Sequence, residues 1–218
     1  MLSVVIPTLN AARHLPLCLA RLPDVGEIIV VDGGSHDDTI AIAEVAGARV
    51  VVAPKGRGPQ LQAGGEAARG DWLLFLHADT MLAPGWLEAV HAHVSRSTRP
   101  ACLRLRLDDP AWQARMIERA VAARVRLLGL PYGDQGLLVT RTHYHNAGGY
   151  RPLPLMEDVD LVRRLGRVSM LRADAVTSAE RWRRDGWFRR SARNLLCLGF
   201  YSAGMSAERV ARIYSRRS

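Results

Sequence analysis

Residues 73–79, Leu-Leu-Phe-Leu-His-Ala-Asp, form an apolar run that closes on an aspartate. Runs of this kind recur through the first hundred residues and alternate with helical patterns. The predicted strands lie at residues 3–6, 27–31, 49–52 and 72–76, and the predicted helices at residues 11–22, 37–46 and 59–69. Strands that alternate with helices of this length pair in parallel, and continuous apolar strands are typical of a sheet covered on both faces. The sequence therefore predicts an α/β fold with a doubly wound, mostly parallel sheet.

The second half of the chain is less regular. Leucine alternates with arginine over residues 103–107, which is the period of a half-exposed strand. Strands are predicted at residues 101–107, 136–140 and 168–171, and helices at residues 84–93, 109–130 and 158–165, followed by a basic helix pair from residue 185 that breaks at residues 204–206. The length of 218 residues fits one domain, residues 1–218.

The charge of the chain is strongly basic. It has 30 Lys and Arg against 21 Asp and Glu, a net charge of +9, and Lys55 is its only lysine. Guanidinium groups bind phosphate through paired hydrogen bonds, so the excess favours an anionic partner. That partner could be a nucleotide diphosphate, a nucleic acid backbone or an anionic membrane surface. Solvated surface arginine would account for part of the excess as well.

The cysteines and the apolar segments indicate the cellular compartment of the protein. Cys18, Cys102 and Cys197 are scattered, without the spacing of a zinc site or a disulfide framework, and fit a reducing cytoplasm. The N-terminus lacks the basic region of a signal peptide, and no segment reaches the roughly 18 apolar residues of a membrane span. We expect a cytoplasmic protein, with peripheral contact at the inner membrane face as an extension.

Two common nucleotide-binding motifs are missing from the sequence. Residues 7–10, Pro-Thr-Leu-Asn, occupy the turn where a dinucleotide-binding protein carries its glycines, which argues against NAD or FAD. No phosphate-binding loop of the GxxxxGK[ST] type occurs either.

Carboxylates stand where ligands bind in this kind of fold. Asp79 follows an apolar strand, and residues 156–160, Met-Glu-Asp-Val-Asp, place Glu157 and Asp158 at the start of a helix. Ligands of open α/β sheets bind at the carboxyl ends of the strands. Asp79 is a suitable ligand for Mg²⁺ or Mn²⁺, and Asp158 could accept the proton of an acceptor hydroxyl. Asp158 could instead serve only as a helix cap.

Other polar residues are candidates with competing interpretations. Asp32 ends a strand before a glycine turn, where it could bind a base or ribose or serve the backbone of the turn. Asp134 and Gln135 lie in a glycine-flanked loop and are candidates for an acceptor site. Arg181 and Trp182 open a segment of arginines and aromatics that fits closure over a phosphate, docking on a membrane, nucleic acid binding or plain packing on the core.

The ordered set of motifs resembles family 2 of the glycosyltransferases. The motifs are Ser-Val-Val-Ile-Pro-Thr-Leu-Asn at residues 3–10, Asp-Gly-Gly-Ser at residues 32–35, Gly-Asp at residues 70–71 with the strand into Asp79, and Gly-Gly-Tyr at residues 148–150 before Glu157 and Asp158. These motifs occur in the same order as in the family, and they cover most of the chain. The resemblance implies a GT-A fold, a nucleotide-diphosphate sugar donor, a divalent metal and inversion at the anomeric carbon.

The resemblance also implies roles for single residues. Thr8 and Asp32 match positions that hold the nucleobase and ribose, and Arg57 matches a basic residue near the nucleotide. Asp79 matches the last carboxylate of the metal-binding DxD motif, and Asp158 matches the general base of the Glu-Asp motif, whose Glu157 is expected to bind substrate. His77 departs from the family by replacing the first aspartate of DxD, which bears on the ribose contact and on metal affinity.

The resemblance implies that different segments of the chain bind the donor and the acceptor. Residues 1–100 would bind the nucleotide sugar, residues 101–180 would bind a small-molecule or lipid-linked acceptor, and residues 181–218 would form a basic helical tail. Residues 76–80, 133–136 and 155–158 are similar to a small bacterial subgroup labelled arsenosugar-biosynthesis glycosyltransferases. The alternatives are a non-catalytic basic module that binds nucleic acid, which we do not expect, and a sugar nucleotidyltransferase, whose glycine-rich opening is missing.

Overall fold

The computed structural model describes residues 1–215, in which eight strands form one sheet. The strands are β1 (Leu2–Thr8), β2 (Glu27–Asp32), β3 (Arg49–Val52), β4 (Trp72–Phe75), β5 (Thr80–Leu82), β6 (Ala101–Leu107), β7 (Leu137–Thr140) and β8 (Ser169–Thr177). Their order across the sheet is β3-β2-β1-β4-β7-β6-β8-β5. Four of the seven pairings are parallel, and β7 inserts antiparallel between β4 and β6. The predicted fold class is confirmed.

Helices cover both faces of this sheet. They are α1 (Leu15–Leu19), α2 (Thr39–Val45), α3 (Arg57–Ala67), α4 (Trp86–Val94), α5 (Trp112–Leu128), α6 (Arg141–Asn146), α7 (Glu157–Leu165), α8 (Glu180–Asp185), α9 (Trp187–Ser202) and α10 (Ala207–Ser215). The alternating side chains of β4 divide between two apolar clusters: Leu74 joins one with Leu15 and Trp86, and Leu73 joins the other with Leu161. Strand β4 is therefore buried on both faces, as its unbroken apolar sequence predicts.

A third, smaller cluster fixes the C-terminal helices. It contains Leu105 and Leu107 of β6 with Ile117 of α5, and the Trp182 and Trp187 rings pack against it. The leucines of β6 are buried while Arg104 is exposed, so the predicted alternation of a half-exposed strand is confirmed.

Several boundaries differ from the sequence prediction. Residues 11–14 are not helical, because the backbone amides of Ala11 and Ala12 donate hydrogen bonds to the side chains of Thr39 and Asp37. Strand β8 continues to Thr177, where it pairs with the unpredicted strand β5. The helix pair predicted from residue 185 with a break at residues 204–206 is confirmed by α9 and α10, and α8 is an additional, unpredicted helix before it. Residues 216–218 of the predicted tail lie outside the described residues.

Candidate active site

Two cavities meet at the carboxyl ends of β1 and β4. The strand-end cavity, of about 410 Å³, is lined by residues 7–11, 55–57 and 77–79, with Gln60 and three residues that precede or begin α8. The inner cavity, of about 140 Å³, lies between β4 and the segments at residues 132–134, 155–159 and the C-terminal helices. Five residues line both cavities: Arg57, His77, Asp79, Ser178 and Arg181.

Thr8 lines the strand-end cavity, but the side chain of Asp32 is committed to the turn beneath it. Asp32 accepts hydrogen bonds from the backbone amides of Gly34 and Ser35, both at 2.8 Å, and from the Ser35 hydroxyl at 2.5 Å. The Thr8 hydroxyl approaches at 3.3 Å. Burial disfavours the charge, but these hydrogen bonds outweigh it and hold the pKa of Asp32 below its ordinary value. This geometry favours the backbone role of Asp32, and its predicted contact with a base or ribose stays a prediction.

Arg57 at the start of α3 reaches across to the start of α7. Its Nε lies 2.7 Å from Oε1 of Glu157, whose side chain is only 1% exposed. Neither oxygen of Glu157 has a hydrogen-bond partner of good geometry within residues 1–215. Burial, and next the neighbouring charge of Asp158, raise the pKa of Glu157 to about 7, against the opposing effect of Arg57. Glu157, predicted to bind substrate, lines neither cavity; it lies beneath the wall, where it holds Arg57.

Asp158 lies in the first turn of α7 and faces the inner cavity. Its Oδ2 accepts a hydrogen bond from the backbone amide of Gly133 at 3.0 Å, and the Tyr150 hydroxyl lies 3.5 Å from Oδ1. No side-chain capping bond occurs at the start of this helix, and Met156 precedes it with φ 65°. A left-handed methionine is an uncommon conformation that needs support from its surroundings. The carboxylate of Asp158 is thus directed to the loop of Gly133 and the cavity instead of its own helix.

His77 faces the same point from the opposite side. A Cβ atom placed on Gly133 would lie 2.5 Å from Nε2 of His77 and 2.8 Å from Oδ2 of Asp158. Nε2 of His77 is buried and has no hydrogen-bond partner in the described residues. Burial, and next the charge of Arg57, lower the pKa of His77, although three carboxylates oppose them. Gly133 is required here because a side chain would fill the space between the two groups.

Two more polar groups are left unsatisfied beside the inner cavity. Oδ1 of Asp134 and the hydroxyl of Tyr132 are buried and find no hydrogen-bond partner among residues 1–215. Burial raises the pKa of Asp134, with Arg124 and His77 opposing and Asp158 reinforcing the shift. Buried polar groups are normally paired, so a cluster of unpaired ones indicates a place where a ligand or ion completes them.

Asp79 is the carboxylate best placed for a metal. It lines both cavities, and its side chain makes no hydrogen bond or ion pair within the described part of the chain. No cluster of three or more His, Cys, Asp or Glu side chains suited to a metal occurs in residues 1–215. Mg²⁺ is commonly held by one or two carboxylates together with substrate phosphates, so a single free carboxylate fits a metal that arrives with a diphosphate.

Gln135 is not brought to either cavity, contrary to its prediction as an acceptor-site residue. Residues 133–135 form a single turn of 3₁₀-helix, and the fully buried side chain of Gln135 points beneath β6. Its amide donates a hydrogen bond to the Leu103 carbonyl at 3.1 Å. The glycines that flank Asp134 and Gln135 identify the loop, but they do not indicate which of the two side chains faces the cavity.

Half of the six arginines at residues 181–193 pair with one carboxylate of the same segment. Asp185 accepts from Arg184, Arg190 and Arg193 at 2.7 to 2.9 Å. The Arg184 hydrogen bond, followed by those of Arg193 and Arg190, lowers the pKa of Asp185 to about 2 despite its partial burial. Trp182 stacks on Trp187 with centroids 6.3 Å apart and also lines the inner cavity.

Arg181 is exposed at the border of the two cavities. The sequence reasoning missed the residues of the C-terminal helices that also line the inner cavity, which are Arg190, Asn194, Cys197 and Tyr214. On α9, Arg190, Asn194 and Cys197 recur at intervals of four and three residues, the spacing of one helix face. That spacing is the signal that could have found them.

Residues 3–150 match the family described as Glycosyl transferase family 2. The match covers more than half of the 218 residues, and the chain therefore belongs to this family. The similarity to the arsenosugar subgroup stays a prediction.

Curated relatives match a shorter part. A PGL/p-HBAD biosynthesis glycosyltransferase of Mycobacterium bovis (strain BCG) is 39% identical over 93 residues, which cover 38% of this chain and 36% of the relative. An uncharacterized glycosyltransferase of Mycobacterium tuberculosis is 37% identical over 95 residues, with 43% and 44% covered. The match therefore spans less than half the length of either relative.

Solved structures share the fold. Glucosyl-3-phosphoglycerate synthase from Mycobacterium tuberculosis, in complex with Mn²⁺, UDP and phosphoglyceric acid, aligns with a TM-score of 0.57 at 20% identity, over 78% of this chain and 67% of that one. TarS from S. aureus (residues 1–349) aligns with a TM-score of 0.64 at 16% identity, over 99% and 71%. The fold is thus of the GT-A type. Over residues 1–215, none of the helices is both long and apolar enough to span a membrane.

Proposed function

We propose that the protein transfers a sugar from a nucleotide-diphosphate sugar to an acceptor hydroxyl, with inversion and with the help of a divalent metal. The observation that carries the proposal is the shared wall of the two cavities at Asp79. Thr8 lines only the strand-end cavity, Asp158 lines only the inner cavity, and Asp79 lines both. A donor in the first cavity would present its diphosphate beside Asp79 and its sugar toward Asp158.

Residues 1–100 would supply the donor site. Thr8 and the turn organised by Asp32 would hold the nucleoside, and Arg57 would meet the diphosphate while Glu157 fixes its orientation. The structure of the mycobacterial synthase with UDP and Mn²⁺ supports this arrangement by its fold.

A bound Mg²⁺ or Mn²⁺ would neutralise the charge that develops on the departing diphosphate. Asp79 would hold the metal together with the phosphates. Because burial and the charge of Arg57 lower the pKa of His77, its neutral ring would contact the donor beside the metal. Arg181, at the border of both cavities, would close over the phosphates.

Residues 101–180 would supply the acceptor site. Asp158 would accept the proton of the attacking hydroxyl, and its hydrogen bond from Gly133 would hold the carboxylate in position. Asp134 and Trp182 would contact the acceptor, which is a small molecule or the head of a lipid-linked one. The basic helices between residues 181 and 215 would cover this site.

The cytoplasm remains the predicted place of action. Cys18, Cys102 and Cys197 are all buried free thiols, in keeping with a reducing compartment. The nucleic-acid-binding alternative loses support because Asp185 already pairs three of the tail arginines.

The test is a screen of nucleotide sugars in which release of the nucleoside diphosphate is measured with Mn²⁺, with Mg²⁺ and with a chelator. We expect release from one class of donor, dependent on metal, and a product whose anomeric configuration by NMR is opposite to that of the donor. A product of retained configuration would refute inversion. Binding of a short oligonucleotide at physiological salt, with no stabilisation by any nucleoside diphosphate, would favour the binding module instead.

A further inference from the structure

Helix α5 carries an apolar stripe that faces away from the protein. Trp112, Met116 and Leu127 are 64%, 40% and 81% exposed. Together with Ala120 and Ala123, which are also exposed, they recur at the intervals of three and four residues that place side chains on one helix face. The opposite face, with Ala114, Ile117 and Val125, is buried.

Helix α9 has a similar division. Arg190, Asn194 and Cys197 line the inner cavity, whereas the side chains of Phe188, Leu195 and Leu196 on the other side are at least half exposed. Phe200 extends the exposed side by one turn at 38% exposure.

The two stripes are joined at their N-terminal ends. The rings of Trp112 and Phe188 lie 6.1 Å apart at an interplanar angle of 51°. We call this combined surface, made of Trp112, Met116, Leu127, Phe188, Leu195, Leu196 and Phe200, the α5–α9 face. Contiguous exposed apolar surfaces of this kind commonly mark an interaction site.

The exposed charges on α5 and α9 themselves are all positive; before α5, Asp108 accepts a hydrogen bond from the Ala179 amide and Asp109 is paired with Arg183. Arg119, Arg126 and Arg189 are exposed, and within residues 1–215 they make no ion pair or hydrogen bond. The only acidic residue of α5 is Glu118, which is buried and paired with Arg106 and Arg115. Helix α9 has no acidic residue.

A second apolar surface provides a contrast. Val45 is exposed in the groove between α1 and α2, and Leu17 is exposed on α1, but Asp38 and Glu44 of the same region are exposed as well. Apolar side chains with arginines and without carboxylates match the boundary of an anionic bilayer, and those with carboxylates do not.

We propose that the α5–α9 face docks the protein on anionic phospholipid membranes. The aromatic and aliphatic side chains would enter the boundary between headgroups and acyl chains, and the three free arginines would contact lipid phosphates. Because the other side of α9 lines the inner cavity, docking would hold that cavity close to the membrane surface. The docking does not depend on the proposed transfer reaction, since it is measured without donor or acceptor.

The experiment is vesicle co-sedimentation of the whole chain with neutral phosphatidylcholine vesicles and with vesicles containing phosphatidylglycerol, at low and physiological salt. We expect binding to the anionic vesicles. The double variant Phe188→Ser/Leu195→Ser should lose binding by at least about tenfold. Arg119→Gln/Arg126→Gln should lose the preference for anionic lipid. Leu17→Ser/Val45→Ser, the matched control, should bind as the wild type does, and circular dichroism checks that each variant is folded.

Trp112 offers a probe of insertion. Trp112→Phe keeps an apolar ring and should still bind, but the blue shift of tryptophan emission on vesicle addition should be lost. Equal binding by all variants, or loss only in the Leu17→Ser/Val45→Ser control, would overturn the proposal. A wild-type dimer by light scattering that Phe188→Ser/Leu195→Ser converts to a monomer, without vesicle binding, would instead make the face an interface between copies. Tight binding of single-stranded DNA without vesicle binding would overturn it too.

Discussion

The turn after β2 and the wall of the inner cavity both place carboxylates at the edge of the same sheet, but only the turn satisfies them. Each oxygen of Asp32 accepts hydrogen bonds from the turn, and its pKa is lowered. Beside the inner cavity, Oδ1 of Asp134 has no hydrogen-bond partner in the described residues, and Glu157 has an ion pair with Arg57 but no hydrogen bond of good geometry; the pKa values of both are raised. Carboxylates that are fully paired hold a structure together, whereas unpaired ones cost stability and are retained where a ligand completes them.

The contrast extends to the backbone. The turn at Asp32 uses glycine and a local hydrogen-bond network, whereas the inner cavity is bounded by Met156 in a left-handed conformation. An uncommon conformation next to unpaired polar groups is typical of a functional site rather than of a scaffold. Four predictions test whether the two regions differ in this way.

The largest effect is expected at Asp158. Asp158→Asn retains the size of the side chain and an oxygen that can accept from Gly133, but it removes the base. We expect kcat to fall by about 10²–10⁴-fold with little change in donor affinity, because the lost interaction forms in the transition state. Steady-state kinetics with calorimetry of nucleotide binding would measure both. Near-normal turnover would leave Asp158 with a structural role only.

The next effect is expected at Asp79. We expect Mn²⁺ to increase the affinity of the wild type for the donor. Asp79→Asn should reduce this increase by about 10–100-fold and leave donor binding without metal unchanged. Asp71→Asn is the matched control, since Asp71 precedes the same strand at its opposite end and is paired with the N-terminus. If calorimetry gives both variants the same metal-dependent affinity for the donor, the assignment of Asp79 is contradicted.

The sequence predicts the site where local signals suffice. Asp79 and Asp158 are recognisable because one follows an apolar strand and the other begins a helix, and both properties are local. Gln135 could not be placed in this way, since its orientation depends on a hydrogen bond to Leu103 of β6, 32 residues away along the chain. Strand β5 is only three residues long and exists through its pairing with β8, which no local pattern encodes.

The C-terminal segment illustrates the same limit. The arginines after residue 180 predict a charged surface, but three of them, Arg184, Arg190 and Arg193, pair with Asp185, which lies up to eight residues away along the chain. Packing of Trp182 and Trp187 on the core is one of the predicted alternatives, and the structure adopts it. The exposed apolar face of α5 and α9 depends on which helix sides the sheet covers, and this is decided by tertiary packing.

A third prediction concerns the scaffold itself. Asp32→Ala would leave the amides of Gly34 and Ser35 without their acceptor and should lower the free energy of unfolding by about 2–3 kcal/mol. For a chain of this size the melting temperature should fall by about 5–10 °C in calorimetry. Ser35→Ala removes one of the bonds and should cost about 1 kcal/mol. An Asp32→Ala protein as stable as the wild type, but defective in nucleotide binding, would reverse the comparison and give Asp32 a ligand.

The smallest effect is a difference between two glutamate–arginine pairs, Glu157–Arg57 and Glu27–Arg49, in how the free energy of unfolding depends on pH. The pKa of Glu157 is raised from 4.5 to about 7, so the folded protein retains a proton that the unfolded chain releases. The resulting stability is fully present below pH 4.5 and is lost as the pH rises through about 7. Glu157→Gln is neutral at every pH. The unfolding free energy of the wild type relative to this variant should therefore decline by about 1–2 kcal/mol between pH 5 and pH 7.

Glu27 is the matched control for this measurement. It pairs with Arg49 at 2.9 Å, and although burial opposes its charge, hydrogen bonds from Ser3, Arg69 and Arg49 hold its pKa below the ordinary value. Its contribution is present above pH 4.5 and is lost only as the pH falls through the lowered pKa. Glu27→Gln should therefore differ from the wild type by a constant amount between pH 5 and pH 7. Urea unfolding at several pH values measures both differences, and parallel pH profiles for the two variants would mean that Glu157 is as well satisfied as Glu27.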